Sequence, residues 1–196
     1  RIYRAWERSG FFNPDRLPRR SALSEAKGPS ASKPFTIIMP PPNANGALHI
    51  GHAVFVTLQD IMIRFWRMRG RKALWLPGAD HAGFETQVVF DKKLEKEGRS
   101  RADVPRDQLY QEMLAFTLEN KKIMEGQLRK LGASCDWSRN KFTLDPDIVK
   151  IVTDTFVKLY QDGLLYRGER IVNWCVKHQT TLSDLEIKYE ERQDPL

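Results

Sequence analysis

The stretch Phe35 to Ala53, FTIIMPPPNANGALHIGHA, limits the fold of this chain more than any other part of it. A run of β-formers, Phe35 to Met39, leads into three prolines, then a turn carrying Asn43, Asn45 and Gly46. His49 and His52 follow, just where a long amphipathic pattern begins. Strand, loop and helix N-terminus in that order gather unpaired backbone N–H groups and the positive end of a helix dipole at one place, which suits an anion.

The rest of the chain repeats this alternation. Val54, Leu58, Ile61, Phe65 and Met68 recur at steps of four and three, one face of a helix running to Arg69 with Gly70 as its stop. Lys72 to Leu76 reads as a second strand, Pro77 to Gly83 as the loop after it, and Phe84 to Glu97 as a helix ended by Gly98. Strand, helix, strand within about forty residues predicts a crossover unit with a parallel sheet. Leu109, Met113, Phe116, Met124, Leu128 and Leu131 mark a further helix capped by Gly132. Asp145-Pro146-Asp147 supplies a cap and a first-turn proline for a helix over about Ile148 to Gln161. Leu164 to Tyr166 and Arg170 to Trp174 read as short strands. Arg1 to Gly10 suits a short helix, and Asn13 to Lys33, rich in Pro, Ser, Arg and Gly, an exposed loop.

Composition narrows the classes. A chain of 196 residues, 41% hydrophobic and 29% charged, buries a genuine core, and no apolar run approaches the roughly 18 residues that span a bilayer. With no secretion signal at its start, a cytoplasmic location is expected. Cys135 and Cys175, the two cysteines, argue against a disulfide framework. The net charge of +7 favours polyanionic partners, although the basic residues are spread along the chain as on solvated faces.

His49 and His52 lie on one side of a first helical turn, where imidazole N–H groups can meet anionic oxygens as charge builds on them. On spacing alone, an anion site, a pair of capping histidines and half of a metal site all remain open. The metalloprotease pattern is not met, because it needs His at i and i+4 with a Glu between. Gly51 leaves room for a flat ring against the backbone. Cys175 and His178 have the spacing of half a zinc knuckle, or equally of a buried thiol beside a surface histidine. Cys135 and Trp137 read as packing residues of a turn.

PPPNANGALHIGHA resembles the HIGH signature of the class I aminoacyl-tRNA synthetases, most closely in its valyl version. The likeness extends through Thr57 to Gly70, LWLPGADHAGFETQ (Leu74 to Gln87), LGASCDWSRNKFTLDP (Leu131 to Pro146), LYRGERIVNW (Leu165 to Trp174) and TTLSDLE (Thr180 to Glu186). The resemblance implies ATP, with Mg2+, as a substrate met by Asn43, Gly46, His49, Gly51 and His52. His49 and His52 would be the catalytic pair for adenylation, and Gly51 would lie under adenine. It implies valine held by Pro40, Pro41, Asn43 and Asp80, with tRNA(Val) as acceptor. Asp80 also makes independent sense, since a carboxylate in a loop at the end of a strand suits an ammonium; a helix N-cap is its other reading. His81 either supports Asp80 or caps the loop.

The implied fold is α/β, the first half of a Rossmann-like nucleotide-binding domain over residues 35–163. Residues 1–34 would be an N-terminal arm, and residues 164–196 the incomplete root of a connective, editing insertion. The lysine-rich KMSKS-type loop, the second half of the nucleotide fold and the anticodon-binding region of such enzymes have no counterpart in this sequence. Association with the missing C-terminal half and little activity alone are therefore expected. Zinc at Cys175 and His178 would need a second ligand pair in the full-length enzyme. An isoleucyl-type relative, or a nucleotide- or RNA-binding module without catalysis, are the alternative functions.

Overall fold

A computed structural model describes residues 1–17, 33–177 and 179–193. Two compact units result, Arg1–Ile151 and Val152–Leu196.

The first unit is built on β1 (Phe35–Ile38), α2 (Ile50–Met68) and β2 (Ala73–Leu76), after an N-terminal helix α1 (Ile2–Ser9). β1 and β2 pair in parallel, Phe35 opposite Ala73 and Ile38 opposite Leu76, so α2 is the crossover that the alternation predicted. β3 (Gly78–Ala79) continues the second strand beyond Pro77. It pairs in parallel with β4 (Lys141–Phe142), which arrives after α3 (Gly83–Lys96) and α4 (Arg106–Leu131). α5 (Pro146–Gln161) begins with the expected first-turn proline. Met39, Val56, Ile63, Ala73, Trp75, Leu128, Ala133 and Cys135 form the main core, and Trp75 donates its indole N–H to Gln59 Oε1 at 3.0 Å.

The stripe Val54, Leu58, Ile61, Phe65 and Met68 is the outward face of α2. Val54 is 57% and Met68 81% exposed, while Val56 and Ile63 are buried. The core-facing side carries polar residues because it meets a polar turn. Asp60 accepts the backbone N–H and the hydroxyl of Ser134, and also Arg64 Nε at 2.6 Å. Arg67 donates to Ser134 Oγ at 2.6 Å and to Ser134 O at 2.8 Å; burial lowers its pKa to about 10.

The first 17 residues dock on this unit. Tyr3 donates its hydroxyl to Ala133 O at 2.8 Å and accepts from Trp137 Nε1 at 2.7 Å, and burial pushes its pKa up to about 12. Glu7 pairs with Arg129 at 3.2 Å, and Asp15 with Arg139. The expected exposed loop falls mainly on residues outside those described.

In the second unit, β5 (Trp174–Cys175) and β6 (Thr180–Thr181) pair antiparallel. The strands expected at Leu164–Tyr166 and Arg170–Trp174 do not form, save that Trp174 opens β5. An apolar run becomes a strand only where a ladder partner lies alongside, and here that partner reaches only Trp174 and Cys175. No helix among the described residues is long and apolar enough to cross a membrane.

Candidate active site

The loop between β1 and α2 carries two clusters. In the first, His49 is the N-cap of α2, with extended backbone (φ −110°, ψ 175°). Its Nδ1 accepts the Gly51 N–H at 3.1 Å, and His52 Nδ1 accepts the His49 N–H at 3.3 Å, a reciprocal capping box made by two imidazoles. An Nδ1 that accepts carries no proton, so each neutral ring holds its proton on Nε2. Among the described residues neither Nε2 has a partner, which leaves two N–H donors at the positive end of a 19-residue helix. The ring centroids lie 4.1 Å apart. The pKa of His52 is lowered, by burial first and by His49 second, so the neutral form that the cap requires is favoured. A Cβ at Gly51 would come within 2.9 Å of His49 Cε1; the ring that this glycine makes room for is that of His49. A Cβ at Gly46 would meet nothing within 4 Å. The pair also lines a cavity of about 250 Å³ with Leu48, Gln127 and Leu131.

In the second cluster, Asn43 forms a parallel bridge with Asp80. Asp80 N donates to Pro42 O at 3.0 Å, and Ala44 N to Asp80 O at 2.7 Å. Two segments far apart in sequence are thus stitched side by side. Asn43 Nδ2 donates to Glu85 Oε2 at 3.2 Å, and Thr143 donates to Asp80 Oδ1 at 3.1 Å. Asp80 is not the N-cap of α3. That position is Ala82, in the left-handed region (φ 56°) with no side-chain cap, followed by Gly83, also at positive φ. His81 leans on Thr143, Nδ1 to Oγ1 2.6 Å, and its carbonyl accepts the Thr86 hydroxyl at 2.6 Å. Pro40 and Pro41 are exposed. Pro41 lines a cavity of about 300 Å³ with Ile38, Leu76, Gly78 and Phe142. Glu85 and Thr143 carry no signal in the sequence, since each reaches the site only through the bridge and the β3–β4 pairing.

The family described as tRNA synthetases class I (I, L, M and V) matches residues 1–196. The chain belongs to this family. It is 47% identical over 193 residues to a valine–tRNA ligase of Clostridium acetobutylicum, covering 98% of this chain and 20% of that protein. It is 48% identical over 191 residues to one of Dehalococcoides mccartyi, covering 96% and 20%. A chloroplastic/mitochondrial valine–tRNA ligase of Arabidopsis thaliana is 46% identical, with 97% and 18% covered. The chain therefore spans about a fifth of the length of these relatives. Among solved structures, the LeuRS–tRNA–LeuAMS ternary complex of Agrobacterium radiobacter K84 agnB2 matches 93% of this chain and 20% of that one. The TM-score is 0.66 at 23% identity, a likeness of fold.

Membership of this family brings ATP in as the family's substrate. Metal ligation is a separate matter. Cys175 lies in β5, His178 lies outside the described residues, and no group of three or more His, Cys, Asp or Glu side chains suited to a metal gathers among the described residues. The donor set shown does not make up a zinc site. Cys135 is buried, and burial pushes its thiol pKa up, as for a packing residue.

Proposed function

We propose that this chain is the start of the catalytic region of a valine–tRNA ligase. In that enzyme the carboxylate of valine attacks the α-phosphorus of ATP, pyrophosphate leaves, and the valyl group passes from the adenylate to tRNA(Val). Residues 35–163 would be the first half of a Rossmann-like domain, 1–34 an arm, and 164–196 the root of an editing insertion. Such an insertion answers a limit of the pocket, since a site sized for valine rejects threonine only weakly, and valine–tRNA ligases are themselves the standard illustration of that limit.

The observation that carries this reading is the double-histidine cap. It presents two neutral imidazole N–H groups at a helix N-terminus, where they stabilise the negative charge that develops on phosphate oxygens during attack. Asn43, Gly46 and Gly51 would complete the ATP contacts, with Mg2+ accompanying the nucleotide. Asp80, beside Asn43, would hold the ammonium of valine, with Pro40 and Pro41 against the side chain. A zinc ion at Cys175 and His178 would need further ligands from elsewhere in the full-length protein, and a cytoplasmic location is part of the same reading.

The test is ATP–pyrophosphate exchange by the full-length enzyme with valine, isoleucine, leucine and methionine. Valine should give the highest exchange, and replacing His49 or His52 by Ala should lower it by about 10²-fold or more. Faster exchange with isoleucine would place the chain in another branch. Unchanged exchange in both histidine variants would remove the adenylation role.

A further inference from the structure

We infer that Thr143 is a positioning residue for the amine-binding carboxylate: its hydroxyl, held by His81, fixes one oxygen of Asp80 and leaves the other for the ammonium of the amino acid. The inference rests on the assignment of Asp80 to the amine.

One placement of protons turns all the contacts of the Thr143 hydroxyl into hydrogen bonds. The Thr143 hydroxyl has one proton and two lone pairs. The proton goes to Asp80 Oδ1 at 3.1 Å. One lone pair accepts the His81 backbone N–H at 2.9 Å. The other faces His81 Nδ1 at 2.6 Å, which carries the proton in this placement, and the same Nδ1 lies 3.4 Å from Asp80 Oδ1. Every donor and acceptor of the hydroxyl is then used, and both neighbours turn a positive edge toward the same carboxylate oxygen. Among the described residues, Asp80 Oδ2 has no hydrogen-bond partner, and the side chain is 36% exposed, open to a ligand.

Thr143 reaches this place by backbone pairing. β4 lies parallel to β3 with Ala79 opposite Phe142, and Thr143 N donates to Ala79 O at 3.2 Å, which sets Thr143 abreast of Asp80. The backbone of Asp80 is fixed independently, through Pro42 and Ala44. The hydroxyl sets the side-chain rotamer and also holds the His81 backbone N–H, so serine, which keeps both bonds, is the variant that separates loss of the hydroxyl from loss of the methyl group.

The experiment compares the full-length enzyme with its T143V, T143A, T143S and D80N variants in ATP–pyrophosphate exchange. Inhibition by 2-hydroxyisovalerate, which lacks the amine, is measured alongside. T143V and T143A should raise KM for valine about tenfold, the loss of one hydrogen bond to a charged group, with KM for ATP and inhibition by the hydroxy acid unchanged. T143S should return KM to within about twofold of the parent. If T143V is too unstable to assay, T143A gives the same reading. Equal losses for valine and the hydroxy acid, or no rescue by serine, would overturn the inference. If D80N raises KM for valine while neither hydroxyl-deleting variant does, Thr143 has no part and the amine site stands. If D80N leaves KM unchanged, the amine assignment falls and this inference falls with it.

Discussion

The two glycines of the loop have different surroundings: a Cβ at Gly51 meets the His49 ring, and one at Gly46 meets nothing within 4 Å. Alanine at position 51 would gain about 0.5–1 kcal/mol from helix propensity in the first turn of α2. Its Cβ, however, would stand 2.9 Å from Cε1 and 3.0 Å from Nδ1 of His49, and in a capping geometry that ring cannot retreat without giving up the Gly51 N–H. If His49 acts in adenylation as proposed, Gly51→Ala should leave the unfolding temperature almost unchanged while ATP–pyrophosphate exchange by the full-length protein falls at least about tenfold, since a reacting group misplaced by about 1 Å costs more than its contact energy. Gly46→Ala meets no atom within 4 Å. It should leave fold and His49 ring position intact, as read from imidazole NMR shifts, so any loss of exchange in that variant reports nucleotide contact. A Gly51→Ala enzyme with full exchange would show that His49 tolerates displacement.

Among the elements, α2 shows what local sequence reports and what it conceals. Its start, its length and its role as a crossover were legible from the histidines and the apolar spacing. The face it buries was not, because the outward stripe is the more apolar one, and the inward side commits Gln59, Asp60 and Arg67 to partners some 16 to 74 residues away. The site divides in the same way. His49, Gly51 and His52 are close in sequence, so spacing admitted a cap as one of several readings, whereas Thr143 and Glu85 join Asp80 and Asn43 only by long-range pairing. Asp60→Ala should test the buried polar side. It would strip Ser134, which is 1% exposed, of the acceptor for both its N–H and its hydroxyl, at a cost of roughly 2–3 kcal/mol by denaturant unfolding. Asp60→Asn keeps an acceptor and should recover at least half of that loss. A loss under about 0.5 kcal/mol for the alanine variant, typical of surface substitutions, would mean that the turn re-forms its bonds elsewhere.

For the molecule as a whole, the outward stripe of α2 and the exposed edge of β1, where Ile38 is 72% exposed, are apolar surfaces of the kind that mark a contact site. The relatives are about five times longer than this chain. On the proposed reading, the rest of the nucleotide fold covers both surfaces and faces His49 and His52 from the other side. This chain alone should then associate at micromolar concentration and show almost no exchange activity. Leu58→Lys with Phe65→Glu tests the cover directly, because the two settings predict opposite signs. Both residues lie on the outward face, 59% and 47% exposed, so in the isolated chain the pair should reduce association, read by light scattering, with little change in unfolding temperature. In the full-length enzyme the same pair would bury two charges in an apolar contact, at a cost of several kcal/mol. Its unfolding temperature and its exchange rate should fall together. Charges tolerated equally in both settings would show that the stripe faces solvent in the enzyme too, and the site would then have to be closed from another side of the loop.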